Sequence, residues 1–142
     1  MLKPFDLQTY DANDDAKHDI IKMFRQNFNC TIGVNADKYG IDLVGRFNDG
    51  TLFGVEVEVK HNWQSEHFMF ESVHYAARKT KFIDAFPETY FCTVNAPRTH
   101  CLLINMQTID AMRMVRKQTT VTTKEWFLEV ATHLFDIYTL DN

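Results

Sequence analysis

The sequence predicts a mixed α/β domain with a central sheet flanked by helices, and three observations predict it. Ile20, Phe24 and Phe28 recur every four residues, the spacing of one helix face. From residue 30 onward the pattern changes to short runs rich in Val, Ile and Phe, the spacing of strands. Between two of those runs lies Asn48-Asp49-Gly50-Thr51, residues that tolerate the positive φ of tight hairpins.

Taken in order, the first helix is expected over residues 14–27, with Asn13 as its cap and Asp14 and Asp15 at the positive end of its dipole. Strands follow over 31–34, 41–47 and 52–60, the last two forming an antiparallel hairpin. A basic helix is expected over 76–86, stopped by Pro87. Strands over 90–94 and 101–105 flank the turn Asn95-Ala96-Pro97-Arg98, and a short helix is expected over 107–117. The C-terminal part reads two ways. Thr122 and Glu125 fit a capping box before a helix, whereas 125–130 and 134–140 fit two short strands, the reading preferred here.

With 142 residues, 45% of them hydrophobic, the chain is sized for one domain over residues 1–142, without repeats or a Pro/Gly/Ser linker. No run approaches the roughly 20 apolar residues of a membrane span, and the first ten residues lack the basic start and apolar run of a signal peptide. Three scattered cysteines, Cys30, Cys92 and Cys101, fit small buried hydrophobes in a reducing compartment. A cytoplasmic protein without a disulfide is expected.

The formal net charge of -4 is unevenly distributed. Residues 1–71 carry seven basic and twelve acidic side chains, residues 72–124 carry eight and three, and residues 125–142 carry none and four. A basic middle between acidic ends suits either a phosphate-binding surface or ordinary solvated faces.

The most informative stretch is Gly54-Val55-Glu56-Val57-Glu58-Val59-Lys60. In a strand the valines line one face and Glu56, Glu58 and Lys60 the other. Across the hairpin, Gly40-Ile41-Asp42-Leu43-Val44 places one carboxylate in an apolar run, where an acid needs a partner or a metal. Two carboxylates and a lysine on neighbouring strands suit metal-assisted hydrolysis of a phosphodiester. No G-x-S-x-G elbow, phosphate-binding G-x-x-x-x-G-K-[ST] loop or G-x-G-x-x-G turn is present, which argues against a serine hydrolase, nucleotide hydrolysis and dinucleotide binding.

Ile41-Asp42 followed by Glu58-Val59-Lys60 at the far end of a hairpin resembles the PD-(D/E)xK nuclease superfamily. The resemblance spans about residues 14–105 and implies a restriction-endonuclease-like core of helix, three strands, helix and strand. It implies a Mg2+-dependent deoxyribonuclease, Mn2+ being able to substitute, of the size class of archaeal Holliday-junction resolvases and compact phage endonucleases. By position it makes Asp42 and Glu58 metal ligands, adds the Val59 backbone carbonyl, and makes Lys60 the catalytic lysine. Ile41 replaces the family's proline, a change remote from the chemistry. Glu56 is an additional acid on the same face, and Asp15 or Asp19 stands where many relatives have a helix acid at the metal, although cap and dipole effects already explain acids near a helix start, the reading preferred for these two. Arg78, Lys79 and Lys81, with His74, fall where relatives contact the DNA backbone. The resemblance also implies a homodimer. The branch-specific Gln and Tyr pair after the lysine is not found. The alternative expectation is an inactive nucleic-acid-binding or interaction domain of the same fold.

Overall fold

The computed structural model describes residues 4–108, 113–117 and 125–141, with side chains over 13–107 and 126–141. Helix α1 runs over Pro4–Asn27. It begins upstream of the expected start, at a proline whose fixed φ suits the first turn, so Asn13, Asp14 and Asp15 lie within the helix and do not cap it. Ala16, Ile20, Met23 and Phe24 form its fully buried stripe.

Among the described residues nine strands follow: β1 (Cys30–Val34), β2 (Leu43–Phe47), β3 (Leu52–Lys60), β4 (Ser72–Ala76), β5 (Glu88–Asn95), β6 (His100–Asn105), β7 (Arg113–Lys117), β8 (Glu125–Ala131) and β9 (Asp136–Thr139). The central sheet has the order β1-β2-β3-β5-β6-β9. It is mixed, because β3 and β5 pair in parallel while its other pairs are antiparallel. The β2–β3 hairpin turns at Gly50, whose φ of 94° is in the region that favours glycine. At Gly45, opposite Phe53, an added Cβ would collide with the Phe53 ring, so the missing side chain makes room for the Phe53–Phe47 stack.

The alternation in β3 sorts its side chains as expected. Phe53, Val55, Val57 and Val59 join Cys92, Val94, Cys101 and Leu103 beneath α1. On the opposite face Phe91, Leu102 and Ile104 meet Val73, Tyr75, Leu128 and Val130 of a second sheet, ordered β4-β8-β7. The layers are helix, mixed sheet and small antiparallel sheet, the mixed α+β class that the sequence predicts.

The second covering layer differs from expectation. The helix expected over 76–86 is found only as a 3-10 helix over Ala77–Phe82, and β4 precedes it in a stretch where the sequence predicts no element. Val73 and Tyr75 alternate inward on β4, and its partner is β8, from Ser72↔Ala131 to Ala76↔Phe127. A partner more than 50 residues away completes β4. The helix expected over 107–117 is not found among the described residues either. A 3-10 helix covers Met106–Thr108, and Arg113–Lys117 is an edge strand on β8, residues 109–112 lying outside the described ones. Of the two C-terminal readings the strands are found. Among the described residues no helix is long and apolar enough to cross a membrane.

Candidate active site

The site forms where β2 and β3 part. Their ladder ends at Leu43↔Val55, and Asp42, the next residue, uses its side chain in place of a backbone partner. Asp42 Oδ2 accepts the Val57 N–H at 2.8 Å, and the Asp42 N–H donates to Glu56 Oε1 at 3.3 Å. From α1, Lys17 Nζ reaches Asp42 Oδ1 at 3.4 Å. The carboxylate is therefore held from two elements, β3 and α1.

Glu56 is buried, at 7% exposure. Loss of water, then the Asp42 charge, raise its pKa from the usual carboxylate range to about 7, against the opposing pull of Lys79. Glu58, two residues along the same face, is part-exposed. Lys79 joins the two, its Nζ 3.1 Å from Glu56 Oε2 and 3.4 Å from Glu58 Oε2. Burial alone would lower the Lys79 pKa, but Glu58 and Glu56 outweigh it and hold the ammonium charged.

Beside this cluster is a cleft of about 340 Å³ lined by Glu58, Val59, Lys60, His61, Asn62, Val73, His74 and Thr93. Lys60 Nζ lies 5.0 Å from the centre of the Phe70 ring, a cation–π contact. His74 Nε2 is 2.8 Å from Glu129 Oε2 across the β4–β8 pair. Beneath them Tyr75 bonds Thr93 through their hydroxyls at 2.6 Å.

The expected residues thus separate into groups. Asp42 and Glu56 are hydrogen-bonded, Glu58 joins them through Lys79, and Lys60 shares the cleft with Glu58. Asp15 and Asp19 are directed elsewhere, to Arg98 at 3.7 and 3.3 Å, in the β5–β6 turn. Of the cations expected to meet DNA, Arg78 and Lys81 are exposed, whereas Lys79 is turned inward onto the acids. Two partners, Glu129 and Lys17, were not singled out in the sequence, and Lys79 was given another role. Glu129, the partner of His74, is 55 residues away from it in the chain. Lys17 had a usable signal, since it flanks the buried stripe at Ala16 and Ile20. So had Lys79, the central cation of Arg78-Lys79-Thr80-Lys81.

Three carboxylates are hard oxygen donors that suit Mg2+ or Mn2+. Burial first, and the Asp42 charge second, raise the Glu56 pKa, and Lys17 and Lys79 stand against these acids. Among the described residues the acids are not drawn into a ready cage of three or more ligands. No family model and no curated protein matches the sequence. Among solved structures, the fold is similar to that of Hjc, a Holliday junction resolvase from the archaeal hyperthermophile Archaeoglobus fulgidus. The TM-score is 0.54 and the identity 12%, over 87% of this chain and 86% of that one.

Proposed function

We propose that the chain is a divalent-metal-dependent endonuclease that hydrolyses phosphodiester bonds in DNA, with branched DNA, including four-way junctions, as its substrate class. The observation that carries this reading is the convergence of Asp42, Glu56 and Glu58 where β2 and β3 part, beside a cleft holding Lys60. The likeness in fold to a junction resolvase supports it.

In this reading Asp42, Glu56 and Glu58, with the Val59 carbonyl, hold Mg2+ or Mn2+. When bound, the cation supplies Lewis acidity to the scissile phosphate and to the attacking water. The chain's own residues do the rest. Val57 N–H and Lys17 fix the Asp42 carboxylate, and Lys60 offers its ammonium to charge developing on the phosphate. Arg78 and Lys81 meet the DNA backbone from the exposed side of the 3-10 helix. Cutting both strands of a symmetric junction calls for a homodimer, which sedimentation of the protein checks.

One observation favours a second reading. Lys79 stands between Glu56 and Glu58, where a cation would stand, and a lysine fixed there suits an inactive DNA-binding domain.

The test is cleavage of labelled duplex, single-stranded, flap and four-way-junction DNA in Mg2+, Mn2+ or EDTA, by wild type, Glu58→Gln and Lys60→Ala. Metal-dependent cutting lost in both variants supports the nuclease. Salt-dependent binding without cutting in any metal supports the inactive domain.

A further inference from the structure

Met69 and Phe70 are large apolar residues on the surface, 79% and 40% exposed, at the end of the segment between β3 and β4. Exposed apolar side chains are common, but these two stand on a built support. The segment leaves β3 through a Trp63 N–H bond to the Lys60 carbonyl at 3.1 Å. It is tied to the β5–β6 turn by Ala96 N–H on Trp63 O at 2.8 Å and by Asn95 Nδ2 on Ser65 O at 3.0 Å. At its other end Thr132 donates its hydroxyl to Phe70 O at 2.8 Å and its N–H to Glu71 O at 2.9 Å.

Aromatic rings continue the support outward from the core. Trp63 is buried and packs edge-on against Phe68 at 5.1 Å, and Phe68 packs against Phe70 at 5.3 Å. The last ring of that row carries the Lys60 ammonium 5.0 Å from its centre, and Lys60 lines the cleft with Glu58. A part-exposed aromatic ring thus carries the Lys60 cation beside the acidic cleft, with the well-exposed Met69 next to it in the chain.

We propose that Phe70 and Met69 form a stacking platform for an unpaired nucleobase next to the phosphate held in the cleft. The inference rests on the nuclease reading above and assigns to that site a preference for DNA with unstacked bases. The chemistry suits this occupant. Lys60 pairs with a phosphate while the adjacent π-face accepts the base, the combination by which proteins hold single strands without reading sequence. A continuous duplex keeps its bases stacked and offers the platform nothing, whereas a branch point, bulge or single-stranded end does. Because the supporting bonds are already formed, little ordering entropy is lost on binding.

The test uses the whole chain in EDTA, with duplexes carrying 2-aminopurine at an unpaired position beside a branch or bulge and perfect duplex as reference. The expected result is quenching of the 2-aminopurine on binding and tighter binding of unpaired-base DNA than of duplex, on the order of 10-fold. Phe70→Ala is expected to remove both, Phe70→Trp to keep both, and Met69→Ala to weaken both, with duplex affinity unchanged in all three. Equal affinity of the wild type for both DNAs, or a preference that survives Phe70→Ala, overturns the platform while the nuclease reading stands if cleavage in Mg2+ persists. A Phe70→Ala variant that loses self-association but keeps the preference assigns the patch to a second copy of the chain and also overturns it. Failure of the wild type to bind or cut any DNA overturns the nuclease reading and this inference together.

Discussion

Lys79 and Glu56 form an ion pair 3.1 Å across, with side chains only 17% and 8% exposed. The two residues come from different layers, Glu56 from the central sheet and Lys79 from the 3-10 helix that follows β4. A charge pair so far out of water loses more when one partner is removed than it contributes when whole, because the other charge is left uncompensated.

Lys79→Met is therefore expected to destabilise the metal-free protein at neutral to alkaline pH by about 3 kcal/mol. Added Mg2+ is expected to restore more stability to this variant than to wild type, since a cation then meets three carboxylates without a competing ammonium. Thermal unfolding of both proteins, with EDTA and with millimolar Mg2+, measures this. An equal rise in Tm for the two would mean that Lys79 does not stand in the place of the cation.

The raised pKa of Glu56, about 7, gives the metal-free protein a defined pH dependence. The unfolded chain releases this proton near the ordinary glutamate value, and the folded chain keeps it until pH approaches 7. Stability from this group therefore falls as pH rises through that window and levels off above it, by on the order of 3 kcal/mol. Glu56→Gln is expected to flatten the fall, read as urea midpoints at about pH 5 and about pH 8.

Asp42 separates a structural role from a chemical one. Asp42→Ala leaves the Val57 N–H without its acceptor and is expected to cost about 1–3 kcal/mol. Asp42→Asn keeps an oxygen for that N–H and is expected to cost about 1 kcal/mol or less, yet to abolish metal-dependent cleavage as fully as alanine does. Comparing chemical denaturation with cleavage for the two variants checks both halves.

Asn95, fully buried, accepts the N–H groups of Thr99 and His100 at 2.8 and 3.0 Å and donates to Ser65 O at 3.0 Å. Asn95→Ala is expected to destabilise by about 2–4 kcal/mol, because several buried groups lose partners together. Amide exchange in residues 61–71 is expected to quicken more than in β3, since that bond ties the segment to the turn.

Legibility in the sequence followed the range of the determining contacts. The strand over residues 52–60, its turn at Gly50 and the division of valines from charges were readable because alternation and turn chemistry are local. Asp42 was readable as a lone acid in an apolar run, though its bond to Val57 N–H was not. Residues 76–86 and 113–117 misled for the opposite reason: the 3-10 helix over Ala77–Phe82 follows a strand whose partner lies more than 50 residues on, and 113–117 pairs with β8, the same strand that β4 joins. Val73 and Tyr75 on either side of His74 were the available sign of a strand in a stretch that otherwise reads as polar. Lys79 is included in the error over 76–86, since a helix would have left it facing solvent with Arg78 and Lys81.

The pairing of β4 with β8 also sets an order of assembly. The carboxylates of β2 and β3 enter the growing polypeptide early, on a hairpin whose contacts are local. The strand preceding Lys79 acquires its neighbour only when residues 127–131 have been synthesised. Until then Glu56 and Glu58 lack the lysine that joins them, whereas Asp42 already has Lys17 from α1, so the nascent centre is half compensated before β8 arrives.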